Sequence, residues 1–283
     1  MRDLILTLSC TDRPGIVALV AGFLADRGFT IRDSQQFGDV DTGLFFMRVH
    51  AAREGALDLR KLRGELLDTV AGPLNAEARL HDPSQPHRML VMVSKQGHCL
   101  NDLLHRVRTG SMPASISAVV SNHESFRDLV EWHGIPYHHI PVSPDSKRSA
   151  EDELRKLVAT YAVDTVVLAR YMQILSDDLC RDLAGRAINI HHSLLPSFKG
   201  ARPYNQAYAR GVKVIGATAH YVTADLDEGP IIEQDFTRAD HTMDASDLIA
   251  IGRDLEALAL ARAVTAHAEQ RVLLNGSKTV VFR

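Results

Sequence analysis

The segment from residue 88 to residue 170 alternates apolar runs with amphipathic stretches, and this pattern limits the fold more than any other feature of the sequence. Between the runs, apolar residues recur at intervals of three and four, which is the spacing of a helix that buries one face. Strands that alternate with such helices predict an α/β domain with a Rossmann-like, open, mostly parallel sheet. The predicted strands cover residues 89–94, 115–120, 136–140 and 165–169.

The first 82 residues carry a different pattern. Strand-like runs at 4–9, 29–37, 44–51 and 76–80 are interrupted by two helical patterns, which start near Ile16 and Leu59. This order predicts a ferredoxin-like βαββαβ unit. The polar run P-S-Q-P-H at 83–87 reads as a linker, because prolines and polar residues are typical of domain boundaries. We therefore predict an N-terminal domain at 1–82 and a second domain at 88–283.

The run C-T-D-R-P-G at 10–15, between a strand and a helix, resembles the ACT regulatory domain. The resemblance implies an oligomerisation module, hence a homo-oligomer (dimer or tetramer), and a candidate site for an amino-acid effector. Free N–H groups at a helix N-terminus favour a carboxylate there. The alternative is that these residues only build a tight turn and a helix cap, with Asp12 as the cap. The candidate effector residues are Asp12, Arg13, Pro14 and Gly15.

Composition excludes several classes of protein. The net charge of -3 and the lack of long basic runs argue against a nucleic-acid partner. The chain has no run of 18 apolar residues and no signal-peptide pattern, so we expect neither a membrane partner nor secretion. Three widely spaced cysteines do not form a disulfide framework and fit a reducing, cytoplasmic location.

The chemistry-bearing residues concentrate between 187 and 234. Asn189 and His191 lie two apart on a predicted strand, so they point to the same side, whereas His192 points to the other side. A zinc site that uses both histidines is therefore awkward, and we predict no metal. An Asn can donate to an oxyanion, a His can move a proton near neutral pH, and Asp227 can orient the His. Taken alone, N-x-H is a weak signal, because a strand Asn and His are more often structural.

Longer motifs make the signal specific. The run I-N-I-H-H-S-L-L-P-S-F-K-G at 188–200, then G-A-T-A-H-Y-V at 216–222 and D-L-D-E-G-P-I-I at 225–232, resembles the formyltransferase family that uses 10-formyltetrahydrofolate. The resemblance covers about 87–275. It implies the formyltransferase fold, no separate cofactor, and catalytic roles for Asn189, His191 and Asp227. It also implies a folate pocket formed by Tyr171, Met172, Gln173, Ile174, Leu175, Val222, Thr223, Ala224, Asp225 and Leu226.

Within that family, the ACT-like module and the H-H-S and G-A-R-P-Y-N-Q-A-Y variants resemble the formyltetrahydrofolate deformylases. The run K-Q-G-H-C at 95–99 stands where the glycinamide ribonucleotide formyltransferases carry a Gly/Ser/Asn-rich phosphate loop, and Gln173 replaces an Arg of that relative. The resemblance implies hydrolysis of 10-formyltetrahydrofolate to formate and tetrahydrofolate, in one-carbon metabolism and purine biosynthesis. Two alternatives stay open: formyl transfer to a small amine, and an amino-acid sensor without enzymatic activity.

The mechanism that we expect adds water to the formyl carbon. Asn189 and a protonated His191 would donate to the resulting oxyanion, and Asp227 would pair with His191 and hold or deprotonate the water. The sequence leaves the identity of the general base open. Lys199 and Arg202 are candidates for the glutamate tail of the folate, with a solvated basic loop as the alternative.

Overall fold

The computed structural model describes residues 1–196 and 203–283, and these residues form two compact units. One unit contains Met1–Pro86 together with Glu269–Arg283, and the other contains His87–Ala268. The first boundary falls within the predicted linker. The last residues differ from the prediction, because the chain from Glu269 onward joins the N-terminal unit rather than the second one.

In the N-terminal unit, four antiparallel strands form a sheet in the order β2-β3-β1-β4, which confirms the predicted ferredoxin-like arrangement. The strands are β1 (Arg2–Thr11), β2 (Thr30–Asp39), β3 (Leu44–Arg53) and β4 (Glu77–His81). The helices are α1 (Ile16–Ala25), α2 (Leu59–Leu66) and α3 (Gly72–Leu74), with a π-helical turn at Leu67–Ala71 between the last two.

The core of this unit is built on the alternation of inward and outward side chains along β1. Leu4, Leu6 and Leu8 point to one side of the strand and pack in one cluster with Val20 and Leu24 of α1. All five are buried. The helices therefore cover one face of the sheet. This is what the alternating apolar residues of the strands and the three-to-four-residue spacing of the helices require.

The second unit is built on a seven-stranded sheet in the order β11-β10-β9-β8-β5-β6-β7. The five strands from β9 to β7 are parallel, and β10 and β11 add two antiparallel strands at one edge, so the predicted mostly parallel sheet is confirmed. The strands are β5 (His87–Val93), β6 (Ala114–Ser121), β7 (Tyr137–His139), β8 (Thr165–Leu168), β9 (Ala187–His191), β10 (Val214–Tyr221) and β11 (Ile231–Arg238).

In the part of the chain that the structure describes, six helices connect and cover these strands. One of them, α7, was not predicted; it is a short helix whose first turn is capped by the Ser176 side chain, which accepts from the Leu179 amide. The longest helix, α9, packs on β9, β10, β11 and α4. Among the described residues, none of the helices is both long and apolar enough to cross a membrane. The helices are α4 (His98–Arg108), α5 (Arg127–Trp132), α6 (Lys147–Thr160), α7 (Asp177–Asp182), α8 (Pro203–Arg210) and α9 (Ala245–Ala268).

The C-terminal segment corrects one prediction. The sequence pattern predicts a helix from 245 to 274 and a short strand in the K-T-V-V-F-R run at 278–283. The strand is present as β13 (Lys278–Val281), but α9 ends at Ala268, and β12 (Val272–Asn275) forms a hairpin with β13. Gln270 adopts the left-handed conformation (φ 56°), which ends the helix.

Side chains of the N-terminal unit hold this segment. Arg48 of β3 donates to the Glu269 carbonyl at 3.0 and 3.2 Å, and Asn275 donates to the Asp39 carboxylate at 2.6 Å. Gln35 of β2 also bonds to both backbone groups of Arg283. These bonds explain why the segment belongs to the N-terminal unit.

A buried polar bridge lies at the start of the parallel strands. The Thr165 hydroxyl is 2.7 Å from His87 Nε2 and 2.7 Å from His267 Nε2, and the other ring nitrogen of His267 is 2.7 Å from the Tyr221 hydroxyl. Thr165 is 1% exposed. One hydroxyl can donate to one imidazole and accept from the other, so it bonds to two half-buried rings at once.

We expect Thr165→Val to lower the free energy of unfolding by about 1–3 kcal/mol, because the isosteric change removes a buried hydroxyl that bonds to two half-buried imidazoles. Urea denaturation measures the change. The matched control is Thr237→Val on the edge strand β11, where the change should stay within about 0.5 kcal/mol. Equal losses in the two variants would contradict the structural role of the bridge.

Candidate active site

A cavity of about 780 Å³ lies at the carboxyl ends of β5, β8 and β9, which is where open α/β sheets bind ligands. The three predicted catalytic residues, Asn189, His191 and Asp227, all line it. The predicted folate residues line it as well, except Asp225. The folate residues at the cavity are Tyr171, Met172, Gln173, Ile174, Leu175, Val222, Thr223, Ala224 and Leu226.

The loop that follows β8 forms the apolar end of the cavity. The Met172 amide donates to Ser94 Oγ at 3.0 Å, and the Ser176 amide donates to buried Glu151 at 2.8 Å, so both ends of the loop are fixed. Met172 and Ile174 are nevertheless 59% and 61% exposed. Two large apolar side chains that stay exposed on a fixed loop form a surface suited to an aromatic ligand.

The catalytic side chains are brought together by β9, β10 and the turn that follows β10. Asn189 pairs across the strands with His220, and its amide nitrogen is 3.2 Å from His220 Nε2. His220 Nδ1 is 2.9 Å from the Tyr221 carbonyl, so it carries the proton there and leaves Nε2 as the acceptor for Asn189. His191 Nδ1 lies 3.2 Å from Asp227 Oδ1, and His220 Nε2 lies 3.7 Å from the same oxygen.

The acidic turn that presents Asp227 has a tightly defined backbone. Asp227 itself is left-handed (φ 59°), a conformation that Asp tolerates better than most residues. A Cβ at Gly229 would lie 1.7 Å from the Tyr221 carbonyl oxygen, so only glycine fits there. Asp225 lies outside the cavity lining. Its carbonyl accepts from the Thr223 hydroxyl and the Glu228 amide, so it shapes the turn.

The ring nitrogens of His191 and then His220, which lie close to the carboxylate, hold the pKa of Asp227 well below its usual range, although partial burial acts in the opposite direction. The carboxylate is therefore ionised throughout the neutral range and is a weak proton acceptor. His191 Nε2 is buried and makes no hydrogen bond to any described residue. Nε2 of His191 is thus an imidazole nitrogen with no partner among the described residues, while the opposite nitrogen of the same ring is paired with an anion.

His192 corrects a prediction from strand alternation. The residue follows the last residue of β9, and its ring stacks on His191 with a centroid distance of 4.8 Å and an angle of 29°. Both rings therefore line the same cavity rather than opposite faces. Burial, together with the nearby charges of Arg170 and His191, lowers the pKa of His192 to about 4, so it is neutral at neutral pH.

Sequence reasoning missed the polar end of the cavity. Glu256 of α9 is 1% exposed, and its carboxylate contacts Arg170 at 3.3 Å, His98 at 2.7 Å and Tyr204 at 2.9 Å. Arg170 also donates to Gln96 at 3.2 and 3.3 Å. A signal was available, since Glu256 directly precedes the apolar run at 257–261 and Arg170 directly follows the predicted strand at 165–169.

Three side chains of metal-binding type, His98, Cys99 and Glu256, have ligand atoms within 4.8 Å of one another. Burial raises the pKa of Cys99 well above its usual value, so the thiol keeps its proton and is a poor ligand. Arg170 already supplies a positive charge beside Glu256. These groups do not suit a metal ion, and the absence of a metal from the mechanism stays a prediction.

The remaining candidates lie elsewhere. Asp12, Arg13, Pro14 and Gly15 are exposed where β1 leads into α1. The cap position is occupied by Gly15 (φ 95°), and no side chain caps the helix, so the expected Asp12 cap is wrong. Asp12 instead donates its amide to the Gly43 carbonyl. The candidate tail contacts, Lys199 and Arg202, lie outside the described residues.

We expect the stability of the protein to fall as the pH drops from about 6.5 to about 4. His192 has a folded-state pKa of about 4 against an ordinary value of 6.5, so the unfolded chain binds its proton first. The stabilisation is complete above about pH 6.5, falls through that window and levels off below it. His192→Gln should flatten the pH dependence of the urea midpoint in this window, whereas His241→Gln, at an exposed position, should not. Identical pH profiles for His192→Gln and wild type would contradict this.

Comparison with known proteins places this geometry in a family. The family described as "Formyl transferase" matches residues 87–264, and the "ACT domain" family matches residues 4–67. A formyltetrahydrofolate deformylase of Corynebacterium sp. (strain P-1) is 49% identical over 279 residues, which cover 99% of this chain and 98% of that protein.

Solved structures agree with these matches. The formyltetrahydrofolate deformylase from Burkholderia mallei superimposes with a TM-score of 0.96 at 46% identity, with all of both chains covered. The glycinamide ribonucleotide transformylase 1 from Symbiobacterium toebii shares 30% identity and a TM-score of 0.65, over 70% of this chain and 94% of that one. With an ACT domain before a formyl transferase domain and such relatives along its full length, the chain belongs to the formyltetrahydrofolate deformylases.

Proposed function

We propose that the chain hydrolyses 10-formyltetrahydrofolate to formate and tetrahydrofolate, with Asn189, His191 and Asp227 as the catalytic residues. The observation that carries the proposal is the position of His191. Its Nδ1 is paired with an ionised carboxylate, its buried Nε2 has no partner among the described residues, and the residue lines a cavity with an apolar loop at one end. That is the arrangement of a group that exchanges a proton with a bound substrate.

The apolar end of the cavity accounts for folate binding. Met172 and Ile174 stand exposed on a loop that Ser94 and Glu151 fix, and the turn at 222–226 forms the facing wall. We assign the pterin ring to this end. The N10-formyl group would then reach the side chains of Asn189 and His191.

His191 can serve as the base and then as the acid. Water loses a proton to Nε2 as its oxygen adds to the formyl carbon, and the imidazolium that forms is stabilised by Asp227. The same proton passes to N10 as the C–N10 bond breaks. Formic acid then ionises and releases a proton to solvent. Asp227 is a poor candidate for the base, because a strongly lowered pKa leaves it little tendency to accept a proton.

Asn189 is positioned to stabilise the oxyanion. Its amide nitrogen has two protons, and one is used on His220 Nε2. The second proton is free to donate to the formyl oxygen as negative charge develops on it. His220, which is 2% exposed and bonded to the Tyr221 carbonyl, fixes the orientation of the amide.

The ACT domain supports two further parts of the proposal. A small amino acid would bind at the β1–α1 junction, at Asp12, Arg13, Pro14 and Gly15, and the chain would form homo-oligomers. Neither part contributes to the chemistry at His191. The cytoplasmic location and the lack of a metal requirement remain predictions, and a chelator-sensitive activity would contradict the second.

The first test measures formate and tetrahydrofolate release from 10-formyltetrahydrofolate, with water as the only acceptor, for wild type and His191→Ala. We expect release by wild type and a loss of at least about 1,000-fold in the variant, because the proton carrier is removed. Treatment with a chelator should leave the wild-type rate unchanged. A wild type that is inactive until an amine is added would instead make the chain a transferase.

Asn189→Ala should lower kcat by about 100-fold or more with little change in KM, because an oxyanion donor acts mainly in the transition state. Steady-state kinetics on 10-formyltetrahydrofolate measure both constants. Asn101→Ala, at an exposed position of α4, is the matched control and should leave both unchanged. A rise in KM with an unchanged kcat would refute the role assigned to Asn189.

A further inference from the structure

The cavity has two chemically different ends. The loop after β8 and the turn at 222–226 form the apolar end, and the side chains around Glu256 form the other. His191 lies between them. A nucleophile that attacks a formyl group bound at the apolar end would come from the polar end, so the polar end decides which nucleophiles can reach the carbon.

The polar groups at that end are already paired with one another. Both carboxylate oxygens of Glu256 are used, one by the Tyr204 hydroxyl and the other by His98 and Arg170. Arg170 further donates to Gln96. Burial alone would raise the pKa of Glu256, but the hydrogen bond from His98 and the charge of Arg170 outweigh it, so the pKa lies below the usual value. The carboxylate is an anion that is fully neutralised from within the chain.

The backbone at Arg170 indicates that its side chain is retained for a purpose. Arg170 has φ 64°, in the left-handed region where glycine is unstrained and other residues cost on the order of 1 kcal/mol. Its side chain is 9% exposed. A strained position that carries a long, buried, charged side chain beside a reaction centre is typical of function rather than of folding.

We propose that Arg170, held by Glu256, determines the specificity of the enzyme for water: its guanidinium fills the end of the cavity where an amine acceptor would bind. The proposal rests on the proposed function. An amine arrives as an ammonium ion and needs an unpaired acceptor to hold it, and Glu256 is the buried carboxylate that lines this end of the cavity. While Arg170 is paired with Glu256, an ammonium ion has neither enough space nor a free counter-charge at this end of the cavity. A water molecule is smaller and needs no counter-charge.

Two observations support this assignment. The solved transformylase shares the fold at 30% identity, so the fold itself is compatible with formyl transfer and the choice of nucleophile must depend on side chains. Gly252, one turn before Glu256, has no room for a Cβ, which would lie 2.1 Å from the Tyr204 ring. The helix is thus shaped to bring Tyr204 onto Glu256.

The competing reaction can be written in full. The ammonium ion first releases one proton to solvent. The neutral amine nitrogen then forms a bond to the formyl carbon, the C–N10 bond breaks, and a second proton passes from the amine nitrogen to N10 through His191. The products are a formamide and tetrahydrofolate, instead of formate and tetrahydrofolate. The ratio of formamide to formate reports the choice of nucleophile independently of the overall rate.

The experiment incubates the full chain with 10-formyltetrahydrofolate and glycinamide, a small primary amine, and quantifies formate and N-formylglycinamide by mass spectrometry. Wild type should give formate alone. Arg170→Gly suits the left-handed backbone and exposes Glu256, so it should raise the fraction of formyl groups found on the amine by at least about tenfold. Guanidinium ion added to Arg170→Gly should occupy the vacated place and return the ratio towards that of wild type.

Arg170→Lys is the matched control, because its ammonium can still pair with Glu256, and it should keep the wild-type ratio. Circular dichroism checks that each variant is folded, and Arg170→Ser replaces Arg170→Gly if the latter does not fold. If Arg170→Gly, or Arg170→Ser in its place, releases formate but forms no formamide, the proposal is overturned. Wild type that formylates glycinamide would overturn it as well, whatever the variants do. Wild type that releases neither product, with or without the amine, would refute the proposed function and this inference with it.

Discussion

The proposed reaction centre depends on the contact between Asp227 and His191. The carboxylate is placed by a turn whose backbone approaches Tyr221 so closely that position 229 must be glycine. From there Asp227 fixes Nδ1 of His191 and leaves Nε2 as the reactive atom. The same pairing lowers the pKa of Asp227, which makes it a fixed anion rather than a proton carrier. One contact thus assigns the roles of both residues.

Two carboxylates border the cavity, and their surroundings give them opposite tasks. Asp227 is partly open and leaves a neighbouring nitrogen free, whereas Glu256 is almost fully buried and has every oxygen occupied. A buried carboxylate that is fully paired within the chain has no oxygen free for a ligand. Its role is therefore to fill part of the cavity together with its partners. On this proposal, one fold supports either hydrolysis or transfer according to whether the second carboxylate is available to an acceptor.

The fold was predictable because its signals are periodic. The alternation of strands and helices predicted the parallel sheet, and the motif around Asn189 predicted the reaction centre. The stacking of His192 on His191 was not predictable, because alternation holds only while the strand continues and His192 follows its last residue. The pairing of Arg170 with Glu256 joins positions far apart in the chain, and no local sequence pattern predicts such a contact. The strand β12 was missed, because the residues that hold this segment, Arg48 and Asp39, lie in β3 and β2.

Two of the non-glycine residues with a left-handed backbone each place a charge at the cavity. Asp227 and Arg170 both line the cavity, and both adopt the left-handed conformation that glycine would occupy without cost. Each residue places a charge beside a partner from another element, His191 for the first and Glu256 for the second. Because glycine would relieve the strain but remove the charge, a side chain at these two positions is retained at the expense of stability. The same reasoning makes Arg170→Gly a conservative change for the backbone and a severe one for the cavity, so its effect on the choice of nucleophile can be separated from an effect on folding.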